Sequence, residues 1–547
     1  MSLKTLSEKQ FIISVIVFCS VCFLPFLSGV HLFDWDEINF AEAAREMILS
    51  GNYSRVQINF QPFWEKPPLF FWFQALSMKI FGINDYAARL PNALCGFLTL
   101  FSLYFWGKRI HSKRFGMLWA LSYAGSVLPH LYFKSGIIDP FFNLFIFNGL
   151  MFFIAFLYSN KKLEGLLGAI CITLAVLTKG HVALMISAIT GFVLLFTYNK
   201  LIVNNFSRIL IFIIITMCLS SIWFLQETLR NGTWFIKTFF EYQLRLLNTA
   251  DAGHGGPIYY HILVLLFGCF PASFFALQYL YIKDKNIIDK GFHNMMIALF
   301  FVVLIVFSLV KSKIVHYSSM CYFPITYFSA LGIIYGLEFG FKNIIRKSIQ
   351  IFLIIFAGII AIVPFLANYL TQIKFVQFAN DKFTEASLKA NVDWNYYLAI
   401  PAICILIINI YLLFIKWDFK KISAIFILNI FLVQSTLYAY INNIETYSQR
   451  ALIDYCSMFD YRKKDYKDAH LITIGFKSYA DLWYGFKRFP KEDEFSWTNN
   501  DLIYKNTKRD VYAICKINKL AETLSQTPFK LIEMKNGYCL LKKIKVE

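Results

Sequence analysis

The stretch FDWDEINFAEAAREM, residues 33–47, follows a run of roughly 20 uncharged and mostly apolar residues, the length that crosses a bilayer. It places Asp34, Asp36 and Glu37 where that run ends. Apolar side chains then recur at helical spacing, which predicts a helix over residues 36–49 lying at the membrane surface. Asp36 can cap this helix, with Glu37 in its first turn. A cap needs only one acidic side chain, so three carboxylates also indicate a site.

The composition around this stretch is that of a polytopic membrane protein. Hydrophobic residues make up 58% of the 547 residues and charged residues only 16%, which argues against a soluble chain. The net charge of +19 comes mainly from Lys and Arg in short loops between apolar runs. This pattern orients membrane helices, so we expect contact with membrane lipids and no nucleic-acid partner.

Apolar runs near the spanning length predict thirteen transmembrane helices. They start at Phe11, Leu90, Phe115, Phe141, Leu163, Val182, Ile209, Ile258, Met295, Met320, Ile349, Trp394 and Ile422. With a cytoplasmic N-terminus, every inside loop is short and basic, as the positive-inside rule requires. The long segments, residues 31–88, 226–257, 368–393 and the tail after residue 440, then lie outside.

The tail differs in composition from the rest of the chain. Charges recur every few residues, and the apolar runs LITIGF (471–476), VYAICKI (511–517) and YCLLKKI (538–544) alternate with a helical segment, NKLAETLSQ. This pattern predicts a small α/β domain over residues 441–547, after a transmembrane domain over residues 1–440. Its cysteines are Cys456, Cys515 and Cys539, and the sequence assigns no disulfide among them.

Two further acidic positions lie near the predicted outer face. Glu65 and Lys66 precede two prolines, which favour extended backbone, and residues 67–81 predict a second surface helix. EKP alone is also typical of a surface turn, but here it shares a loop with DWDE. Asp139 stands before an apolar run, where it either caps a helix or serves a site, since membrane carboxylates are costly.

Taken in order, these motifs resemble membrane glycosyltransferases of the GT-C class. The matching segments are DEINFAEAAREMILSGNY, FWEKPPLFFWFQALSMKIFG, ARLPNAL, the aspartate before a span, LTKGHVAL (177–184), HGGPIYYH (254–261) and KSKIVHYSSMCYFP (311–324). The resemblance is greatest to bacterial lipid A aminoarabinose transferases, which are similar to protein O-mannosyltransferases. It implies a GT-C fold with first-loop helices at the interface and the tail as a small periplasmic α/β domain.

The resemblance also implies roles for individual residues. Asp36, with Glu37 beside it, Glu65 and Asp139 match the acidic positions expected to be catalytic. Glu65 and His254 match positions that hold a divalent metal ion in relatives. The match also makes Lys66, Lys311, Lys313 and Tyr317 expected substrate-binding residues. Arg89 and Lys179 join them because of their positive charge near the outer face: Arg89 suits a donor phosphate, and Lys179 either contacts a lipid phosphate or anchors the interface. Asp34, Phe63 and His181 depart from the family pattern.

The predicted function is that of an inverting glycosyltransferase in a bacterial inner membrane. It would move a sugar from a polyprenyl-phosphate donor to a periplasmic acceptor, either lipid A or a related glycolipid, or alternatively protein Ser/Thr. A flippase for a lipid-linked sugar would also need many spans, but its charges should lie at mid-membrane. A polytopic scaffold protein, the third alternative, would not explain why DWDE and EKP occur in the same loop. Charges clustered at one face favour the enzyme.

Overall fold

The structure, a computed structural model, describes residues 7–544 except 35, 64, 249–254, 282–288, 373–380, 463–468, 488–498 and 506–508. The part before the tail is built almost entirely from helices. In chain order they are α1 Glu8–Cys22, α2 Asp36–Ser50, α3 Leu69–Phe81, α4 Asp85–Ile110, α5 Lys113–Ala124, α6 Val127–Phe133, α7 Asp139–Ser159, α8 Lys162–Lys179, α9 Val182–Thr197, α10 Asn199–Val203, α11 Phe206–Asn231, α12 Trp234–Asn248, α13 Tyr260–Gly268, α14 Ala272–Gln278, α15 Lys290–Leu309, α16 Tyr322–Phe339, α17 Asn343–Gln372, α18 Lys382–Leu388, α19 Ile400–Tyr411 and α20 Phe419–Ser448.

Eight helical segments in the described ranges are long and apolar enough to cross a membrane, which makes the chain a multi-pass membrane protein. They contain α4, α7, α11, α15, α16, α17, α19 and α20. A ninth results if α13 and α14, which meet at 99°, count as one bent span. The predicted count of thirteen is not confirmed, although helices occur at all thirteen predicted positions.

The four remaining predicted spans do not meet this criterion of length and composition, and they stay predictions. α1, α5 and α9 contain 15, 12 and 16 residues. At a rise of about 1.5 Å per residue they reach only about 18–24 Å, less than the hydrocarbon thickness of about 30 Å. α8 has 18 residues but carries Lys162, Glu164 and Lys179, so its charge and not its length sets it apart.

The helices predicted within the first loop are confirmed as α2 and α3. α2 ends at Ser50 because Gly51 adopts a left-handed conformation with φ of 69°, and Gly82, with φ of 82°, follows α3 in the same way. Between the two helices the chain forms a short antiparallel hairpin, β1 (Gln57–Ile58) and β2 (Gln61–Pro62). The EKP motif lies between this hairpin and α3.

The tail forms one mixed sheet with short helices. Its elements are α21 Arg450–Met458, β3 His470–Ile474, α22 Ala480–Trp483, α23 Asn499–Tyr504, β4 Val511–Lys516, α24 Leu520–Gln526, β5 Phe529–Lys535 and β6 Tyr538–Lys543. The strand order is β3-β4-β6-β5, with β3 parallel to β4 and the other pairs antiparallel. The three predicted strands and the helix between the last two are therefore confirmed, whereas β5 was not predicted. β5 is an edge strand whose side chains are mostly exposed, so it lacks a buried apolar run.

α2 is covered on both sides. Every side chain from residue 37 to residue 47 is buried, including the charged Glu42, Arg45 and Glu46, each 0% exposed. Arg45 donates to both Glu42 carboxylate oxygens, at 2.7 and 2.6 Å, and to the backbone carbonyl of Lys487 in the tail, at 2.8 Å. Buried charges are tolerated when they are paired in this way. α2 is thus held between the membrane helices and the tail, a covering that the sequence did not indicate.

The tail and the membrane part share one hydrophobic core. A single cluster of buried residues includes Ile38 of α2, Cys456 of α21 and Trp483 of α22. The predicted domain boundary at residue 440 falls inside α20, which continues to Ser448. The tail is therefore packed against the first loop and is not a separate unit on a linker.

Candidate functional site

Two of the predicted acidic residues, Asp36 and Asp139, meet at one histidine. Asp36 is the first residue of α2 and Asp139 the first of α7. His316 lies in the 3-10 helix Val315–Cys321 that precedes α16. Its Nε2 atom is 3.7 Å from Oδ2 of Asp36 and 3.7 Å from Oδ2 of Asp139. Helix N-termini favour carboxylates, and here two of them point their carboxylates at the same place.

Lys179 completes the inner part of this cluster. It is the last residue of α8, and its Nζ lies 2.6 Å from Oδ1 of Asp139, with the two side chains only 12% and 4% exposed. The same ammonium lies over the rings of Phe142 and Tyr317, at 5.3 and 5.1 Å from their centroids. Aromatic faces attract cations at such distances. The predicted residues Lys179, Asp139 and Tyr317 are thus brought together.

The EKP motif lies beside the same cluster. Burial lowers the pKa of the Lys66 ammonium. The negative charges of Glu65, Asp36 and Asp139 oppose this effect, whereas the positive charge of Lys179 adds to it. The charges of Glu65, Asp36, Asp139 and Lys179 therefore all act on Lys66. The Glu65 side chain is 18% exposed. We define the acid–cation cluster as Asp36, Glu65, Lys66, Asp139, Lys179 and His316.

Glu37 and Arg89 pair with each other. Arg89 Nε and Nη2 donate to the two carboxylate oxygens of Glu37 at 2.8 and 2.7 Å. Its remaining donors reach the backbone carbonyls of Leu27, Val30 and His31 at 2.8, 2.8 and 2.9 Å. All five guanidinium N–H groups are therefore used within the chain.

Glu37 is equally committed to contacts inside the protein. It also accepts hydrogen bonds from the backbone N–H groups of Phe33, at 2.9 Å, and Gly136. Burial alone would raise the pKa of Glu37, but the attraction of Arg89 and these hydrogen bonds outweigh it and lower the pKa. These contacts give the pair a structural role, and the catalytic role of Glu37 and the substrate-binding role of Arg89 stay predictions.

The two KSK lysines have different surroundings. Lys313 is 5% exposed, and its Nζ donates to the carbonyls of Phe307, Ser308 and Val310 at 3.2, 2.6 and 2.5 Å. These carbonyls end α15, so Lys313 caps the negative end of that helix. Lys311 is exposed. These contacts give Lys313 a structural role, and its contact with a donor phosphate stays a prediction.

One member of the cluster, His316, and one residue next to it, Lys477, were not predicted from the sequence. His316 lies inside the quoted KSKIVHYSSMCYFP motif, five positions after Lys311, so that motif contained a signal that pointed to it. Lys477 comes from the tail, and its Nζ lies 4.0 Å from Oε1 of Glu65. No sequence pattern connects two residues so far apart in the chain. Only the packing of the tail on the first loop brings them together.

The predicted metal site is only partly described. His254 lies outside the described residues. Across the ranges that the structure covers, no group of three or more His, Cys, Asp and Glu side chains is arranged to hold a metal ion. Glu65 is the one predicted ligand with a described position. The metal assignment stays a prediction.

Known proteins share both sequence and architecture with this chain. The family model described as dolichyl-phosphate-mannose-protein mannosyltransferase matches residues 65–224. The undecaprenyl phosphate-alpha-4-amino-4-deoxy-L-arabinose arabinosyl transferase of Photorhabdus laumondii is 24% identical over 400 residues, which are 71% of this chain and 68% of that protein. The crystal structure of ArnT from Cupriavidus metallidurans bound to undecaprenyl phosphate superposes with a TM-score of 0.76 at 14% identity, covering 98% of this chain and 99% of that one. The chain has the GT-C glycosyltransferase fold.

The GT-C fold extends to more distant proteins. The oligosaccharyltransferase of Archaeoglobus fulgidus matches 94% of this chain and 70% of its own, with a TM-score of 0.50 and 11% identity. Identities this low establish architecture alone. The match to ArnT covers the tail as well as the helices, so the small sheet belongs to the shared architecture.

The described part of this GT-C fold also contains an apolar groove. It has a volume of about 510 Å³ and opens between α8 and α11. The lining residues include Tyr53, Trp72, Leu174, Leu177 and Trp223. Its apolar walls suit a lipid chain.

Proposed function

We propose that this protein is an inverting glycosyltransferase that moves a sugar from a polyprenyl-phosphate donor to lipid A or a related glycolipid. The observation that carries the proposal is the convergence of Asp36, Asp139, Lys66 and Lys179 at one site of a GT-C fold. The relative from Photorhabdus laumondii, named as an arabinosyl transferase that uses an undecaprenyl-phosphate sugar, supports the donor class. 4-Amino-4-deoxy-L-arabinose is accordingly the first sugar to test.

The chemistry follows from the placement of charge. Transfer breaks the bond from the sugar's anomeric carbon to the phosphate oxygen and forms a bond to an acceptor oxygen. Lys66 can stabilise the phosphate as negative charge develops on it. Asp36, with its side chain 34% exposed, can orient the acceptor or accept its proton. If the acceptor is itself a phosphate it is already ionised, and Asp36 then only orients it.

Asp139 and Lys179 act as a positioning pair in this scheme. Both are nearly buried and 2.6 Å apart, so they hold the ends of α7 and α8 around the reacting groups. We also propose that Glu65 and His254 hold a divalent ion, since a carboxylate oxygen and an imidazole nitrogen are ordinary ligands. Such an ion would neutralise the charge of the donor phosphate. No step above depends on it.

We place the protein in a bacterial inner membrane, with the N-terminus in the cytoplasm and the cluster and tail on the periplasmic side. The short basic loops between helices support this orientation. The family description naming protein mannosyltransferases favours a second candidate acceptor, protein Ser/Thr. The test below distinguishes the two acceptors.

The test is sugar transfer by the purified full-length protein in liposomes. They contain lipid A and are supplied with undecaprenyl phosphate carrying radiolabelled 4-amino-4-deoxy-L-arabinose. Asp36→Asn should reduce label in the lipid at least about 100-fold. Asp454→Asn is the matched control, because Asp454 has similar exposure and lies outside the site, where it pairs with Lys535. Label in an added Ser/Thr-rich peptide instead of lipid A would support a protein acceptor. Movement of the donor across the bilayer without sugar transfer would refute the proposal that the protein is a glycosyltransferase.

A further inference from the structure

His316 lies between two carboxylates that belong to different helices. Its Nε2 atom is equally far, 3.7 Å, from Oδ2 of Asp36 at the start of α2 and from Oδ2 of Asp139 at the start of α7. A hydrogen bond from a ring nitrogen to a carboxylate oxygen is about 2.7–3.2 Å long. A movement of about 0.5–1 Å that closes one of the two gaps would therefore form a direct hydrogen bond.

The two carboxylates differ in how firmly they are held. Asp139 is only 4% exposed, and its Oδ1 atom accepts a hydrogen bond from Lys179 Nζ at 2.6 Å, so that Oδ2 faces His316. The Asp36 side chain is 34% exposed, and its Oδ2 atom faces the same ring. Asp139 is thus the fixed neighbour of His316, and Asp36 is the neighbour whose orientation the ring can set.

The backbone of His316 is anchored to the helix that carries Asp139. Its carbonyl oxygen accepts a hydrogen bond from the Ser319 hydroxyl at 2.5 Å, and that hydroxyl oxygen accepts one from the Asn143 side-chain amide at 2.7 Å. Ser319 and Asn143 are both buried. Asn143 lies four positions after Asp139 on α7 and therefore on the same face of that helix. One turn of α7 thus fixes His316 relative to Asp139.

Two aromatic rings restrict the orientation of the imidazole. Tyr132 of α6 meets it edge to face, with the ring centroids 6.4 Å apart and the ring planes at 88°. Tyr317, the next residue in the chain, meets it at 5.4 Å and 73°. Tyr132 is itself stacked on Tyr322 of α16. Edge-to-face contacts favour one ring orientation over others. The more exposed Asp36 carboxylate is therefore the group that moves toward His316.

We propose that His316 is a positioning residue of the transfer reaction, which orients Asp36 by donating the hydrogen of Nε2 to Asp36 Oδ2. The inference rests on the proposed function, in which Asp36 orients the acceptor or accepts its proton. The ring carries a hydrogen on Nε2 in its charged form and in one neutral tautomer. With Oδ2 held by the ring, Oδ1 of Asp36 remains for the acceptor. His316 acts through Asp36 and adds no proton-transfer step of its own.

The experiment measures initial rates of sugar transfer by the full-length protein in liposomes that contain lipid A and radiolabelled undecaprenyl-phosphate aminoarabinose. His316→Phe keeps a planar ring but removes the donor, whereas His316→Gln supplies an amide N–H of similar reach. His316→Phe should lower kcat about tenfold or more, with the KM for the donor lipid within about twofold of wild type. His316→Gln should return kcat to within about threefold of wild type.

The matched control is His31→Phe. His31 also contacts a carboxylate, with Nδ1 at 2.6 Å from Oε1 of Glu445, but it lies outside the acid–cation cluster. This variant should keep kcat per folded molecule within about twofold of wild type. SDS-induced unfolding measures the folded fraction of each variant, and His316→Leu replaces His316→Phe if the phenylalanine variant does not fold.

The effect of His316 should depend on the presence of the Asp36 carboxylate. If the ring acts through Asp36, adding His316→Phe to Asp36→Asn should lower kcat by less than about twofold further. A residue that only supports the fold would reduce kcat by the same factor in both backgrounds. The double variant therefore separates positioning from general stability.

Loss of kcat in His316→Phe, recovery in His316→Gln and no further loss in the Asp36→Asn background would together support the inference. It is wrong if His316→Phe transfers sugar at the wild-type rate, if His316→Gln is folded but as slow as His316→Phe, or if the two single losses multiply in the double variant. A wild-type protein that transfers no sugar would instead overturn the proposed function, and this inference with it.

Discussion

Glu37 and Arg89 provide the sharpest test of how the site is built, because the sequence predicts catalytic and substrate-binding roles for them, whereas their contacts in the structure stabilise the fold. Replacing Glu37 with Gln leaves the Arg89 charge buried, only 3% exposed, and without its carboxylate. Breaking one side of a buried ion pair costs about 3–5 kcal/mol of unfolding free energy. The loss should be at the upper end, because Arg89 also holds three backbone carbonyls before α2.

The assay is a double-mutant cycle of Glu37→Gln, Arg89→Met and the double variant, followed by SDS-induced unfolding of the detergent-solubilised protein. Each single change should lower stability by about 3–5 kcal/mol. The double variant should lose much less than the sum, since it leaves no unpaired charge, which gives a coupling energy of about 2–3 kcal/mol. Transfer per folded molecule should stay within about fivefold of wild type, because neither residue belongs to the acid–cation cluster. Glu37→Gln with unchanged stability and transfer reduced more than about 100-fold would refute this reasoning.

Three other outcomes follow from the structure. Lys179→Met should abolish transfer and lower the free energy of unfolding by about 3–5 kcal/mol, because the buried Asp139 carboxylate loses its partner at 2.6 Å. A variant that unfolds in SDS at the same concentration as wild type would contradict this prediction. Burial raises the pKa of Asp34 to about 6 from 3.8. Ionisation of Asp34 therefore destabilises the folded protein as pH rises from about 4 through 6. Asp34→Asn should be more stable than wild type by about 2 kcal/mol at pH 7.5 and equally stable near pH 4. Cys515 of β4 and Cys539 of β6 are buried cross-strand neighbours, and the Cα separation of about 4.5–5.5 Å for such pairs suits a disulfide. Diamide, which accepts the two hydrogens, should link the two thiols. If mass spectrometry shows that both thiols can still be alkylated after diamide treatment, the predicted disulfide is wrong.

Local sequence patterns were sufficient for much of the secondary structure. The apolar runs mark helices at all thirteen predicted positions because a lipid-facing helix must satisfy its own backbone hydrogen bonds. In the tail, LITIGF and VYAICKI mark strands because their apolar side chains are buried in a sheet. β5 was missed because its exposed residues carry no such pattern. The four short or charged helices stay predicted spans, because their length or charge sets them apart from the eight helical segments that meet both criteria.

The sequence also supplied the acidic residues and lysines around DWDE and EKP, since their types and order resemble a known family. It did not determine how these residues pair. Asp36 and Glu37 are adjacent in the chain, yet Asp36 points toward His316 while Glu37 binds Arg89. Neighbouring residues of a helix point about 100° apart, so packing alone decides which one faces the site.

The contribution of the tail depends entirely on tertiary structure. Lys477 lies more than four hundred positions after Glu65, and only the docking of the sheet on α2 brings the two within 4.0 Å. That docking depends on buried contacts such as Arg45 with the carbonyl of Lys487. A sequence read locally determines helices, strands and the chemical types of its side chains. Pairing between distant charges is set by the three-dimensional fold, because the energy of a buried charge depends on what surrounds it.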